Sequence, residues 1–532
     1  METTDTSRDR RWWILAVLCL SVLLVVVDNT IVNVALPTIS RDLNASTRAL
    51  QWVVDAYTLV FAGLLLVSGN LGDRTGRRRT LQLGLALFAL FSVGAALARN
   101  AGELIAARAA MGAAAALVYP ATLAILNSVF TVARERATAI GIWSAVSGLA
   151  VAIGPLSGGA LLEHFSWASV FYVPVPVAVI AIAAGRLLLP ESRDPGAGRF
   201  DPLGALLSIA GITLLTWSII EAPGHGWGSF ATVGGIGGSL LTLAAFAWSQ
   251  TRRPDPMLDV RLFRNARFSA ASGAIAMAFF GLFGFIFMIT QYFQVIRGYS
   301  PLGAGAATLP FAFVTAGLSP VAIIVMKRIG TKIVVGAGLF LMSGGFVVAA
   351  ATAAASSYWG PVVISMSLMA AGLAFTTGPA TEAIMGALPP GKAGAGSAVN
   401  DTTREAGGTL GVAIVGSVLS SAYGSHVLGG LVALGASSSA GRAAGQSIIA
   451  GLTVAGRLPA PLRAAAREAV RSAFMAGLHR GSLVAGAAAA AGALVALLFV
   501  PARAATGDGA PAAGTDPADS ASSMRDAMIR NC

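Results

Sequence analysis

The chain has 532 residues, of which 55% are hydrophobic and 11% charged, with a mean hydropathy of +0.74 and a formal net charge of +12. A soluble domain carries about 25% charged residues, so the composition excludes an ordinary water-soluble fold and points to the bilayer as solvent. The positive charge does not mark a nucleic-acid binder, because the basic residues sit in short segments between apolar runs and form no basic domain with interleaved aromatics.

A crossing helix needs roughly 20 mainly apolar residues. Runs of that kind cover 12–36, 52–71, 81–98, 104–129, 138–162, 168–189, 203–221, 232–249, 269–293, 303–326, 333–354, 360–385, 405–425 and 479–501, which predicts fourteen spans. The first follows Arg8, Arg10 and Arg11. It is too long for a signal-peptide core and has no small-residue cleavage site after it, so it is expected to remain as span 1. With the N-terminus in the cytoplasm, the inner segments hold 24 of the 36 Lys and Arg residues, Arg404 counted among them, and the short outer loops hold Arg41, Arg48, Arg99 and Arg297. The positive-inside rule then places both termini in the cytoplasm of a bacterial plasma-membrane protein. Segment 426–478 resists, since it should lie outside yet carries Arg442, Arg457, Arg463, Arg467 and Arg471; it reads as a partly ordered outer flap with an amphipathic helix over 459–474. Residues 502–532, rich in Ala, Gly, Asp and Ser, read as disordered.

Two inner loops match. Gly72-Asp73-Arg74-Thr75-Gly76-Arg77-Arg78-Arg79 joins spans 2 and 3, and Lys327-Arg328-Ile329-Gly330-Thr331-Lys332 joins spans 10 and 11. The repeat implies two six-span halves. The organisation expected is a cytoplasmic N-terminus (1–11), an N-terminal bundle (12–189), two inserted helices (203–249), a C-terminal bundle (269–501) including the outer loop 426–478, and a cytoplasmic tail (502–532).

Ionisable groups inside spans are costly and therefore informative. Asp28 lies deep in span 1, Asp55 near the outer end of span 2 and Arg108 near the outer end of span 4. An arginine in lipid needs a carboxylate partner, and a carboxylate left without one in a low-dielectric cavity holds a proton more readily. One reading makes Asp28 or Asp55 the proton carrier, tuned by Arg108; the other makes a static pair that fixes helix packing. Glu382 lines a cavity or gate, or simply ends span 12. Among the aromatics of span 9, Phe283 and Phe287 are cavity candidates. His164, His225, His426 and His479 have no metal-ligand spacing, Cys19 and Cys532 build no disulfide framework, and no phosphate-binding loop is present. No metal, cofactor or enzymatic activity is expected.

Four motifs carry a family resemblance. Gly69-Asn70-Leu71-Gly72-Asp73-Arg74-Thr75-Gly76-Arg77-Arg78-Arg79 resembles motif A of the major facilitator superfamily. Val27-Asp28-Asn29-Thr30-Ile31-Val32-Asn33-Val34-Ala35-Leu36-Pro37 looks like the first-span signature of its 14-span drug:proton antiporters, the EmrB/QacA type. Arg108 with Met111-Gly112 is similar to motif B, and Gly148 through Gly159 in span 5, including Gly154, Pro155 and Gly158, is similar to the antiporter motif C. The resemblance implies an all-α major facilitator fold of two six-helix bundles plus two inserted helices. It further implies a coupling role for Arg108, an inner latch at Asp73, Arg74 and Arg77 with Gly69, Gly72 and Gly76 giving close backbone approach, and a seal against leak in span 5. Its partners are a small organic substrate and protons, and the protein is expected to act as a monomer. A proton-coupled exporter of amphipathic organic compounds is the first reading; a symporter or facilitator for a small nutrient is the alternative.

Overall fold

The computed structural model describes residues 3–193, 201–253, 256, 258–387 and 393–500, with the backbone alone for 3–9, 66, 70, 133, 137, 152 and 393–398. The expected disordered tail, Cys532 and the Lys392 loop charge lie outside the described residues. Helices α1 (Thr3–Asp42), α2 (Thr47–Thr75), α3 (Arg77–Ala96), α4 (Ala101–Val129), α5 (Ala133–His164) and α6 (Ser169–Leu188) form the first half. Then come α7 (Pro202–His225) and α8 (Phe230–Arg252). The second half is α9 (Ala266–Ile296), α10 (Pro301–Ile329), α11 (Thr331–Ala350), α12 (Tyr358–Gly386), α13 (Ala393–Ala433) and α14 (Ala460–Phe499). These are the fourteen expected runs, with α2 counted as one span bent by 53° between Leu65 and Val67.

Local chemistry sets the helix ends. Ser46, Asn100, Asp201 and Ser229 each accept a hydrogen bond from a backbone N–H in the first turn of α2, α4, α7 and α8, which satisfies donors that a helix start leaves free. The two matching loops turn on glycines at positive φ, Gly76 at +119° and Gly330 at +90°, a backbone region that side chains with a Cβ avoid. Apolar residues of α1–α6 pack into one core and those of α9–α14 into another. Phe287 of α9 and Val412 of α13 are buried in the core of the first half, so they bind the halves together.

The face where α1 begins is called here the N-face. Hydrogen bonds between the halves, among the described residues, lie from mid-membrane to the opposite, far face. Gln51 donates to the Val412 and Ala413 carbonyls at 3.3 and 3.0 Å. Thr409 bonds Thr58 at 3.0 Å, Gln294 donates to the Val34 carbonyl at 2.8 Å, and Ser300 donates to Glu163 at 2.6 Å. The far face is therefore closed. A helix at Ser438–Ala444 and another at Ile448–Arg457 lie between α13 and α14, and the Thr47 N–H bonds the Gln446 carbonyl across to the first half.

One expectation needs correction. Span 13 was placed at 405–425, with Arg404 in the preceding loop; α13 starts at Ala393, so Arg404 sits eleven residues into a helix. The 459–474 stretch forms the first turns of the long α14, with Arg463, Arg467, Glu468 and Arg471 exposed and Ala466, Val470 and Ala473 buried. In α13, polar residues toward the protein interior, with Asn400 buried, lower the hydropathy of a segment that still lies within a spanning helix.

Candidate functional site

Asp28 of α1 and Arg108 of α4 meet in the interior of the first half. Arg108 Nη1 lies 2.5 Å from Asp28 Oδ2, and both side chains are 0% exposed. The remaining geometry fixes the guanidinium. Its Nε donates to the Val53 carbonyl of α2 at 3.1 Å, and its plane lies over the Tyr57 ring at 4.3 Å from the centroid. Gly112, one turn beyond Arg108, lets α4 touch α2, because a Cβ there would strike the Tyr57 carbonyl oxygen. The motif B sequence therefore supplies a base and the small residue that brings its partners into reach. Among the described residues, Asp28 Oδ1 and Arg108 Nη2 have no hydrogen-bond partner, so the pair is not saturated.

Asp55, grouped with these two by sequence, is not brought to them. It is fully buried on α2 and, among the described residues, neither carboxylate oxygen has a hydrogen-bond partner.

The span 5 glycines pack against both halves. A Cβ at Gly154 would strike the Thr30 hydroxyl, one at Gly158 would meet Ile31, and one at Gly159 would meet the Pro301–Leu302 backbone of α10. Gly305 in turn abuts the Pro155 carbonyl. Gly148 has open space around it. Three of the four glycines, with Pro155, thus let α5 lie flat against α1 and the start of α10, beside the Asp28 helix and at the closed far end.

At the N-face, Asp73 and Arg77 pair with each other at 2.7 Å, and Arg77 reaches the Ala124 carbonyl at 3.4 Å. Gly72 packs on Thr80, Gly69 on Pro120, and Arg74 is exposed. Glu191, which sequence reading passed over, accepts from the Arg78 backbone N–H at 3.1 Å and closes on Gly76. Glu382 is exposed on α12 and does not join these groups.

The corrected course of α13 reveals a second charged group. Asp401, Arg404 and Glu405 lie at positions i, i+3 and i+4, on one helix face. Arg404 sits 4.0 Å from Asp401 and 5.2 Å from the centroid of Phe279 on α9. All three charges act on Tyr119 of α4 in the other half, and Glu405 also acts on Tyr57. Tyr119 belongs to an aromatic row with Phe61 and Trp143, at 5.9 and 5.3 Å, while Phe279 and Phe283 form the opposite wall at 6.3 Å from one another. Of the two span 9 candidates, Phe283 faces this interior and Phe287 is wholly buried between the halves. The i, i+3, i+4 spacing of charges beside Gly407-Gly408 was the signal available in the sequence.

Two six-helix halves closed at one face, around an interior lined with charges and aromatics, define a membrane transporter of the alternating-access kind. The family model described as Major Facilitator Superfamily matches residues 18–412, and the chain belongs to that superfamily. It is similar to the multidrug efflux pump LfrA of Mycolicibacterium smegmatis, 38% identical over 432 residues, covering 80% of this chain and 84% of that protein. It is also similar to the multidrug resistance protein Stp of Mycobacterium tuberculosis, 35% identical over 400 residues and covering 75% and 74%. Among solved structures, a bacterial homologue of the human lysosomal transporter Spinster in an inward-facing, unoccupied conformation superposes with a TM-score of 0.62 at 19% identity, covering 94% of this chain and 99% of that one. That likeness concerns the fold.

Proposed function

We propose that this protein is a proton-coupled exporter of amphipathic organic compounds, acting as a drug or antibiotic efflux pump in a bacterial plasma membrane. The observation that carries the reading is the Asp28–Arg108 pair, buried between three helices of one half with one acid oxygen and one terminal nitrogen unpartnered. Such a pair binds a proton on the acid at the cost of one ion pair, which is the elementary step of coupling. The similarity to proteins named as multidrug efflux and resistance proteins supports export over nutrient uptake.

Cargo enters, in this reading, from the N-face between the aromatic walls. Tyr119, Phe61, Trp143, Phe279 and Phe283 offer ring faces, and Glu405 offers a carboxylate. This chemistry suits a flat lipophilic molecule bearing one positive charge. The basic segments on the N-face support a cytoplasmic N-face, and with the far face closed this reading makes the state inward-facing. The moving bodies are residues 12–189 and 269–501, with 203–249 inserted between them, and one chain suffices for transport. The alternation depends on Asp73 and Arg77, paired within their own half in this state, re-engaging the second half when the N-face closes. No catalytic step is assigned to any residue.

The test is a susceptibility panel on a strain overexpressing the chain, together with dye efflux measured with and without a proton uncoupler. Export predicts raised resistance to several lipophilic cations and efflux that stops on uncoupling. Unchanged susceptibility with substrate accumulation driven inward by the same gradient would replace export by symport.

A further inference from the structure

Asp55 and the inserted helix α7 together form a feature that the coupling pair does not use. Helix α2 presents a stripe to α7 at positions 48, 52, 55, 59 and 63. Arg48 pairs with Glu221 at 2.6 Å, Trp52 packs against the Ile219–Ile220 cluster, and Gly63 is filled by the Ile209 side chain. Between the 48–221 and 63–209 contacts the antiparallel register brings Asp55 level with Leu215 and Thr216. Thr216 faces away from α8, which packs on the opposite side of α7 through Gly211 and Ser218. Thr216 is 0% exposed and, among the described residues, its hydroxyl has no hydrogen-bond partner, the same condition as both oxygens of Asp55.

The third wall is α13. Gln51, one turn toward the far face, bonds the Val412 and Ala413 carbonyls and Ser417, and Ser417 donates to the Ile219 carbonyl at 2.9 Å. Thr58, one turn the other way, bonds Thr409. Asp55 is therefore enclosed between two hydrogen-bonded rungs of the seam that joins the halves. The charged groups of the packed helices are engaged elsewhere: Arg108 of α4 with Asp28 and Val53, the Arg48–Glu221 pair toward the far face, and Asp401, Arg404 and Glu405 of α13 toward the interior and Tyr119.

We infer that the inserted helix α7 completes a polar site with Asp55, in which Thr216 is the hydroxyl that positions the Asp55 carboxyl, and that the α2–α7–α13 seam closes over the neutral acid and parts when it ionises. An enclosed carboxylate without counter-ion or donors is expensive, whereas the neutral acid with one hydroxyl partner is not. The inserted pair then has a function that two bare six-helix halves lack, which is to wall this acid off from lipid and supply its partner. Thr216 is a positioning residue here, and the inference extends the proton-coupled reading above.

The test is carbodiimide labelling, which modifies carboxyls in their acid form, on the full chain in liposomes. Asp55 labelling is followed against pH by peptide mass spectrometry in wild type, Thr216→Val and Thr216→Ser. Removal of the hydroxyl takes away the partner of the neutral acid in the closed seam, so the labelling profile of Thr216→Val moves to more acidic pH by roughly half to one unit, the size of one neutral hydrogen bond, while Thr216→Ser keeps the wild-type profile. Identical profiles in all three proteins, or equal displacement in both variants, overturn the inference. The labelling needs no cargo, so a chain that shows the displacement but exports no dye breaks the exporter reading and leaves this site standing.

Discussion

Arg108 and Asp28 approach to 2.5 Å with no exposed surface on either side chain, and each keeps one polar atom without a partner. Removing one member leaves the other buried and uncompensated, at a cost of about 3–5 kcal/mol. Asp28→Asn is expected to abolish uphill efflux driven by a pH gradient while downhill exchange survives, since the amide resembles the protonated acid. Arg108→Lys keeps the charge but loses the contact to the Val53 carbonyl and the flat stacking on Tyr57, and is expected to fail similarly. Efflux at the wild-type rate from vesicles carrying Asp28→Asn would move the coupling role to Asp55.

Glu405 lies on α13 one turn before Gly408, which packs on Phe283, and its charge reaches Tyr119 of the other half. Glu405→Gln is expected to weaken export of lipophilic monocations at least about tenfold, equivalent to about 1.4 kcal/mol of binding, while neutral cargo of similar size is less affected. The measurement is the ratio of efflux rates for a cationic and a neutral dye. An unchanged ratio would remove Glu405 from the cargo site.

Gly112 sets how closely α4 approaches α2. In Gly112→Ala the new methyl meets the Tyr57 carbonyl oxygen, and packed backbones have little room to give, so the expected loss is about 1–3 kcal/mol. A lowered melting temperature in detergent, with reduced coupled efflux from the Arg108 guanidinium being pushed off Tyr57, is the outcome sought. A variant that melts and transports like wild type would show that the α2–α4 contact is slack.

The orientation rests on the basic residues of the N-face, and the segment between α13 and α14 is the place to test it. A reporter inserted after Ala440, within the Ser438–Ala444 helix, is expected to be active only when it functions outside the cytoplasm. Activity of a cytoplasm-only reporter at that position would invert or break the fourteen-span topology.

Much was legible without the fold. The apolar runs state which segments prefer lipid, because hydropathy is a property of each segment by itself. The loop charges state a direction, and the glycines of the two matching turns sit where only a residue without a Cβ is at ease, as Gly76 and Gly330 show. What hydropathy cannot carry is which way a side chain points inside a span. It therefore began span 13 at 405 and left Asp401 and Arg404 outside, since three charges on an inward face look like a loop to a windowed average. It also grouped Asp28, Asp55 and Arg108 by depth alone. Arg108 chooses Asp28, 80 residues away in the chain, because α4 lies against α1 and α2 on the face that carries Val53 and Tyr57, while Asp55 points from the opposite side of α2 into the α7–α13 seam. Depth is written in the sequence; the partner is decided by helix rotation and packing, and those exist only once the helices have come together.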